Sequence, residues 1–190
     1  MKKKIKIYRM PISRVFPATH PKKGQKTYFD NKIKIGICWD RRTNNNCPAH
    51  AHKPNCYNCE YYVDIEGHSN SIKLHTIRAN YELWRKRIDE VNAGNAILVL
   101  YEWTGKPYHS KTNELFRFDK DSGIGIQEFK LNSIEDTYSW SLIDNRFFDS
   151  HNIIDFATND GLSLTDFKDW FKNYDLSKQM AIIHFTKFRY

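Results

Sequence analysis

No run of some 18 apolar residues occurs in this 190-residue chain, so no segment reads as a membrane-spanning helix. No internal period occurs either, which excludes collagen-like and coiled-coil architectures. The opening Met-Lys-Lys-Lys-Ile-Lys-Ile-Tyr has basic residues but lacks the apolar core of roughly 7–15 residues that makes a secretory signal. The chain is therefore expected in a reducing cytoplasm, where disulfides are disfavoured. Catalytic signatures are also missing: there is no glycine-rich phosphate loop, no Gly-x-Ser-x-Gly elbow and no His-Glu-x-x-His pair. Apolar residues make up only 40%, but aromatics reach 15%, with twelve Phe, eleven Tyr and five Trp. Rings of that number fill a core that Leu and Val underfill, and they argue against disorder. The length suits one domain.

Acidic residues are scarce at one end. Residues 1–34 hold eleven Lys and Arg against a single acid, Asp30, while the rest of the chain is slightly acidic. The net charge of +8 is thus an N-terminal feature. It fits either a polyanionic partner or a solubilising basic end.

Lys4 to Met10 alternates as a short strand, and 11–31, with Pro11, Pro17, Pro21 and Gly24, reads as an irregular basic loop. Ile33 to Trp39 alternates as a second strand. Residues 40–60 have no period and read as an inserted knuckle. Asn80 caps a helix over 81–93, with Trp84, Ile88 and Val91 on one face and Gly94 as its stop. Ala96 to Trp103 is a buried strand followed by a turn at Thr104-Gly-Lys-Pro. Glu114–Phe118 and Ile126–Leu131 read as a hairpin, and Thr137–Ile143 as a further strand. Ser163 with Asp166 forms a capping-box pattern ahead of Leu164, Phe167, Phe171 and Tyr174, and Met180–Phe185 is a last buried strand. Short strands with two helices and no linker predict one α+β or small-barrel domain over 1–190, with a Cys/His-rich insertion at about 38–60.

All four cysteines, Cys38, Cys47, Cys56 and Cys59, fall in that insertion, with His50 and His52 between them. The two-residue spacing of Cys56 and Cys59 lets both thiolates reach one ion, so a structural zinc fits, with His50 or His52 as alternates to Cys38. Reduced thiols without metal, and disulfides, are the other readings. Lys73-Leu-His-Thr76-Ile-Arg78 brings together a Lys, a hydroxyl and an Arg if the strand bends before the helix. Such a trio binds a phosphate or a base edge. With a depressed Lys pKa it activates the Thr oxygen. A solvated strand end is the plainer reading. Asp160, in Asn159-Asp160-Gly161, reads locally as a turn residue. Trp103, Lys106 and Tyr108 lie in a basic, aromatic loop suited to stacking on bases, or to an ordinary hairpin tip. His184, in an apolar strand, reads as a satisfied core histidine, and Trp170 and Phe171 as core.

Taken in order, these segments resemble the ASCH domain of the PUA-like superfamily. Lys73-Leu-His-Thr76-Ile-Arg78 is similar to its Lys-x-x-Thr-Ile-Arg motif. Asn92-Ala-Gly94-Asn95 with the strand Ala96–Tyr101 is similar to its Gly-Asp step, and Asn159-Asp160-Gly161-Leu-Ser with the following helix and strand is similar to its closing elements. The resemblance covers roughly residues 65–188 and implies a small β-barrel flanked by helices, with a cleft for RNA or a nucleotide. It also implies, for some small members, an amidohydrolase acting on an N4-acylated cytidine. By position, Lys73, Thr76 and Asp160 would be its catalytic residues, Asp160 being one methylene shorter than the Glu usual there. The leading expectation is RNA or nucleotide binding by Lys73, Arg78, Trp103, Lys106 and Tyr108. The hydrolase and a zinc-stabilised protein-interaction domain are the alternatives.

Overall fold

The computed structural model describes residues 5–43, 72–131, 141–148, 153–175 and 178–190, of which 39–43 are described as backbone alone. The chain begins with β1 (Lys6–Pro11), close to the expected strand. The next element differs from the reading of the sequence. Phe29, Ile33 and Ile37 recur every four residues and are all buried, so the segment expected as a strand over 33–39 is part of helix α1 (Phe29–Thr43). The alternation of isoleucines with polar residues suits both periods. The partners that α1 packs against decided between them.

After α1 come β2 (His75–Ala79), α2 (Tyr81–Asn92), β3 (Ala96–Trp103), β4 (Thr112–Phe118), β5 (Gly125–Leu131), β6 (Ser141–Ile143) and β7 (Arg146–Phe148). Then follow α3 (Ile153–Asn159), α4 (Leu164–Phe171) and β8 (Met180–His184). Helix α2 is the one the sequence announces. The Asn80 side chain accepts from the Leu83 N–H, and Trp84, Ile88 and Val91 face the core. Gly94, at φ 72, ends it in the left-handed conformation that glycine adopts without penalty. Each large apolar side chain buried on such a face contributes about 1.5–3 kcal/mol. At α4, Ser163 accepts from the Asp166 N–H and donates to Asp166 Oδ2, closing the expected N-cap. Helix α3, which the reading of the sequence did not expect, immediately precedes Asp160.

The described strands form two sheets, one ordered β1-β3-β4 and the other β2-β8-β5-β6-β7. β1 runs parallel to β3, and β4 returns antiparallel along it. The expected hairpin between Glu114–Phe118 and Ile126–Leu131 does not form, because β4 pairs with β3 and β5 pairs with β8 and β6. The turn at 119–124 carries the chain from one sheet to the other. The architecture is α+β. The expected barrel is not seen closed among the described residues, which hold two separate sheets packed on a shared core. Of the strand expected over Thr137–Ile143, Ser141–Ile143 is present as β6, and 137–140 lie outside the described residues. No described helix is long and apolar enough to cross a membrane.

Candidate functional site

Three hydrogen bonds to three different segments bend the chain just ahead of β2. Lys73 N donates to Lys32 O in α1, Leu74 N donates to Asn159 O at the end of α3, and Leu74 O accepts from Phe185 N. Helix α1 approaches so closely here that a Cβ on Gly36 would stand 2.6 Å from the Lys73 carbonyl oxygen. The bend turns the Lys73 side chain inward, where it is 1% exposed. Its ammonium donates to Asp160 Oδ1 at 2.6 Å and to the Asp160 carbonyl at 2.5 Å, and lies 4.2 Å from the centroid of the Phe29 ring.

Asp160 is therefore not the simple turn residue that local sequence suggests. It is buried, and it is held where α3 ends by the bond from its own N–H to Phe156 O. Gly161 follows at φ 78, and a Cβ there would come within 3.1 Å of Lys73 Cβ. His75 also faces the carboxylate, with Nδ1 3.7 Å from Asp160 Oδ1. Its Nε2 bonds the Tyr190 hydroxyl at 2.7 Å, and that hydroxyl accepts from Asn159 Nδ2 at 3.0 Å.

Lys73, Thr76, Arg78 and Asp160 line one small cavity of about 30 Å³, closed in by Phe29, Trp170 and Tyr174. The convergence expected of the Lys-Thr-Arg trio is thus present. A space of that size takes one or two waters or the end of a functional group. Phe171 is core as expected, Trp170 is half-buried against the core, and both also form cavity wall. Arg78 Nη2 donates to the Pro11 carbonyl, while its Nε is buried with no hydrogen-bond partner.

The electrostatics around Asp160 are lopsided. Lys73, Arg78 and Lys32 all act on this single carboxylate. Lys32 is also turned inward, donating to Gly161 O at 2.7 Å. Burial pulls Lys73 down to about 8, against the opposing attraction of Asp160. The neighbouring acid Asp166 is already engaged by Lys22 at 2.8 Å.

The remaining expected site residues stand elsewhere. Trp103, Lys106 and Tyr108 lie at the end of β3 and on the loop to β4, and none of them lines the cavity. Cys38 lies half-buried in α1 rather than on a strand leading to the knuckle. Cys47, His50, His52, Cys56 and Cys59 lie outside the described residues, so the zinc reading is neither met nor opposed. Among the described residues no group of three or more His, Cys, Asp or Glu is arranged to hold a metal. His184 is buried as expected, but it is not satisfied, since neither ring nitrogen has a hydrogen-bond partner. Sequence reasoning missed Lys32, Trp170, Tyr174 and Tyr190 at or behind this site. The strand expected over Ile33 to Trp39 starts just after Lys32, and only a helix beginning at Phe29 turns Lys32 toward Gly161.

No family model matches the chain, and no curated protein or solved structure matches it, so the ASCH resemblance rests on the sequence motifs alone.

Proposed function

We propose that this chain is an ASCH-like, PUA-type domain that binds RNA or a nucleotide at the Lys73-Thr76-Arg78 cavity. The observation that carries this reading is the charge balance: Lys73 and Arg78 line the cavity with a single carboxylate, Asp160, and Arg78 keeps a buried Nε–H without an acceptor. Buried donors are costly when unpaired, so a site with surplus cations and an orphaned N–H favours an incoming anion. A phosphate supplies both charge and acceptor oxygens. The cavity is too small to enclose a nucleoside, so the ligand lies across its mouth and inserts only an end group. The basic Lys23 and Lys26 of the preceding loop add attraction for a phosphate backbone.

The test is binding of labelled RNA and of CMP at rising salt. Affinity is expected to fall steeply with salt, and Arg78→Gln to weaken binding while the protein stays folded. Binding that Arg78→Gln leaves unchanged would remove the cavity assignment.

One observation favours the amidohydrolase as a second reading. Lys73 is pulled to about 8 and shares its cavity with Thr76, so a neutral amine is accessible near neutral pH. In that reading Thr76 Oγ attacks the acyl carbon and its proton passes by Lys73 to the leaving nitrogen. Water then hydrolyses the threonyl ester. Incubation with N4-acetylcytidine decides it. Release of cytidine by wild type, abolished in Thr76→Val, establishes the enzyme. No release leaves binding as the function.

A further inference from the structure

We propose that the ligand is a single-stranded polynucleotide rather than a lone nucleotide, with one residue at the cavity and its neighbours along an aromatic track on β3 and the loop after it. This rests on the cavity reading above.

The track starts beside the cavity, at Tyr101. Arg78, which lines the cavity, donates to Pro11 O, and Pro11 stands opposite Tyr101 in the β1–β3 pairing. The Ile12 N–H, on the cavity wall, donates to Tyr101 O at 2.7 Å. From Tyr101 the rings continue outward, with Tyr101 to Trp103 at 5.7 Å and Trp103 to Tyr108 at 5.3 Å between centroids. The Arg9 guanidinium covers the Tyr101 ring at 4.6 Å and offers a planar cation of its own.

Tyr108 is the least expected member. It is 86% exposed and has φ 64, a conformation costly for a residue with a Cβ. The loop nevertheless holds it there. Thr104 N donates to Lys111 O, Gly105 N donates to Ser110 Oγ, and both Ser110 Oγ and His109 N donate to Lys106 O. Arg14 Nη1 ties the loop's base to the N-terminal segment through Thr104 O at 2.7 Å. Beyond its contact with Trp103, a ring this exposed adds little to folding, and a partner that stacks on it would account for the arrangement.

The charges beside the track fit a polyanion. Lys106 and Lys111 are exposed and form no ion pair among the described residues, whereas Glu114 is held by Arg117 and Glu102 accepts from Asn113. Unpaired bases present ring faces to such a platform, and a duplex does not. A proline-rich peptide also stacks on aromatics, but it has no use for the surplus cations at the cavity end.

The experiment compares three probes at low salt by fluorescence anisotropy or calorimetry: a labelled single-stranded oligocytidine of about ten nucleotides, a duplex of the same length, and CMP. Wild type is expected to bind the single strand more tightly than either of the others. Tyr108→Ala, at an exposed position that leaves folding intact, is expected to weaken the single strand about tenfold and leave CMP unchanged, and Trp103→Ala to do the same. Arg78→Gln is expected to weaken both. Single-strand affinity unchanged in Tyr108→Ala, or duplex binding equal to single-strand binding, overturns the track and leaves the cavity reading standing. Loss in Tyr108→Ala with none in Arg78→Gln overturns the joint site and the cavity reading. Binding of a proline-rich decapeptide with none of the nucleic-acid probes overturns both.

Discussion

Lys73 Nζ stands 2.6 Å from Asp160 Oδ1, and both side chains are withdrawn from solvent although 87 positions separate them in the chain. The pair joins the bend before β2 to the end of α3. Removing one partner strands the other charge in the interior. Lys73→Ala is expected to cost about 3–5 kcal/mol, and the double replacement Lys73→Met with Asp160→Leu to recover much of it. Urea denaturation of the three proteins measures this. A Lys73→Ala variant within experimental error of wild type would show that the pair is not buried in solution.

The depressed Lys73 also predicts how stability varies with alkali. Its folded-state value of about 8 lies below the 10.5 of a solvated lysine, so between those values the unfolded chain binds more protons. Stability relative to a Lys73→Met/Asp160→Asn reference should therefore rise from pH 8 to 10.5. Unfolding curves across that range check the sign, and a falling difference contradicts the assignment.

Two buried histidines give a dependence of the same sign at low pH. Burial holds His184 down at about 3, and His75 well below its ordinary value. Between about 3 and 6.5 the unfolded state binds the extra protons, so stability falls as pH drops through that window. His184 makes no hydrogen bond, so His184→Phe is expected to be neutral or stabilising at pH 7.5 and clearly stabilising at pH 5. Midpoints of urea unfolding at the two pH values measure it. Equal effects at both would argue that His184 is exposed to water.

Gly36 is where α1 touches the bend at Lys73, with a Cβ position 2.6 Å from the Lys73 carbonyl oxygen. In an exposed helix Gly→Ala stabilises by about 1 kcal/mol. Here the collision is with backbone, and Gly36→Ala is expected to destabilise and to weaken ligand binding together. Thermal unfolding and RNA affinity of this variant report on the same contact, and a stabilised variant would place α1 elsewhere.

The zinc reading has a direct test. If Cys47, Cys56 and Cys59 with Cys38, His50 or His52 hold a structural ion, the purified protein contains about one zinc per chain and Cys56→Ser loses it. Elemental analysis together with thermal unfolding checks this. Metal-free protein that unfolds at the same temperature removes the idea.

The elements that were legible in the sequence carry their own boundaries. Asn80 and Ser163 cap α2 and α4, Gly94 stops α2, and the near-continuous apolar runs of β3 and β8 leave little freedom. The Lys73-Thr76-Arg78 trio was legible as a chemical pattern, and so was the aromatic character of the loop at 104–111. The failures share a cause. Ile33, Ile35 and Ile37 satisfy the period of a strand as well as Phe29, Ile33 and Ile37 satisfy that of a helix, and local pattern holds no preference. The turn at 119–124 has the composition of a hairpin but connects two sheets.

What the sequence determined by itself is therefore local: capped helices, buried strands, a basic N-terminal segment, and the residue types from which a site can be built. Tertiary structure alone decided that α1 is a helix and that β4 and β5 part company. It also decided that Asp160 is a buried partner of Lys73 rather than a turn residue, and that Trp103 and Tyr108 stand against each other outside the cavity. Caps and periodicities act over one or two turns of chain, where the sequence can be read directly. A buried ion pair exists only where segments far apart in the chain are packed closely enough to exclude water from both charges, and no local pattern encodes that meeting.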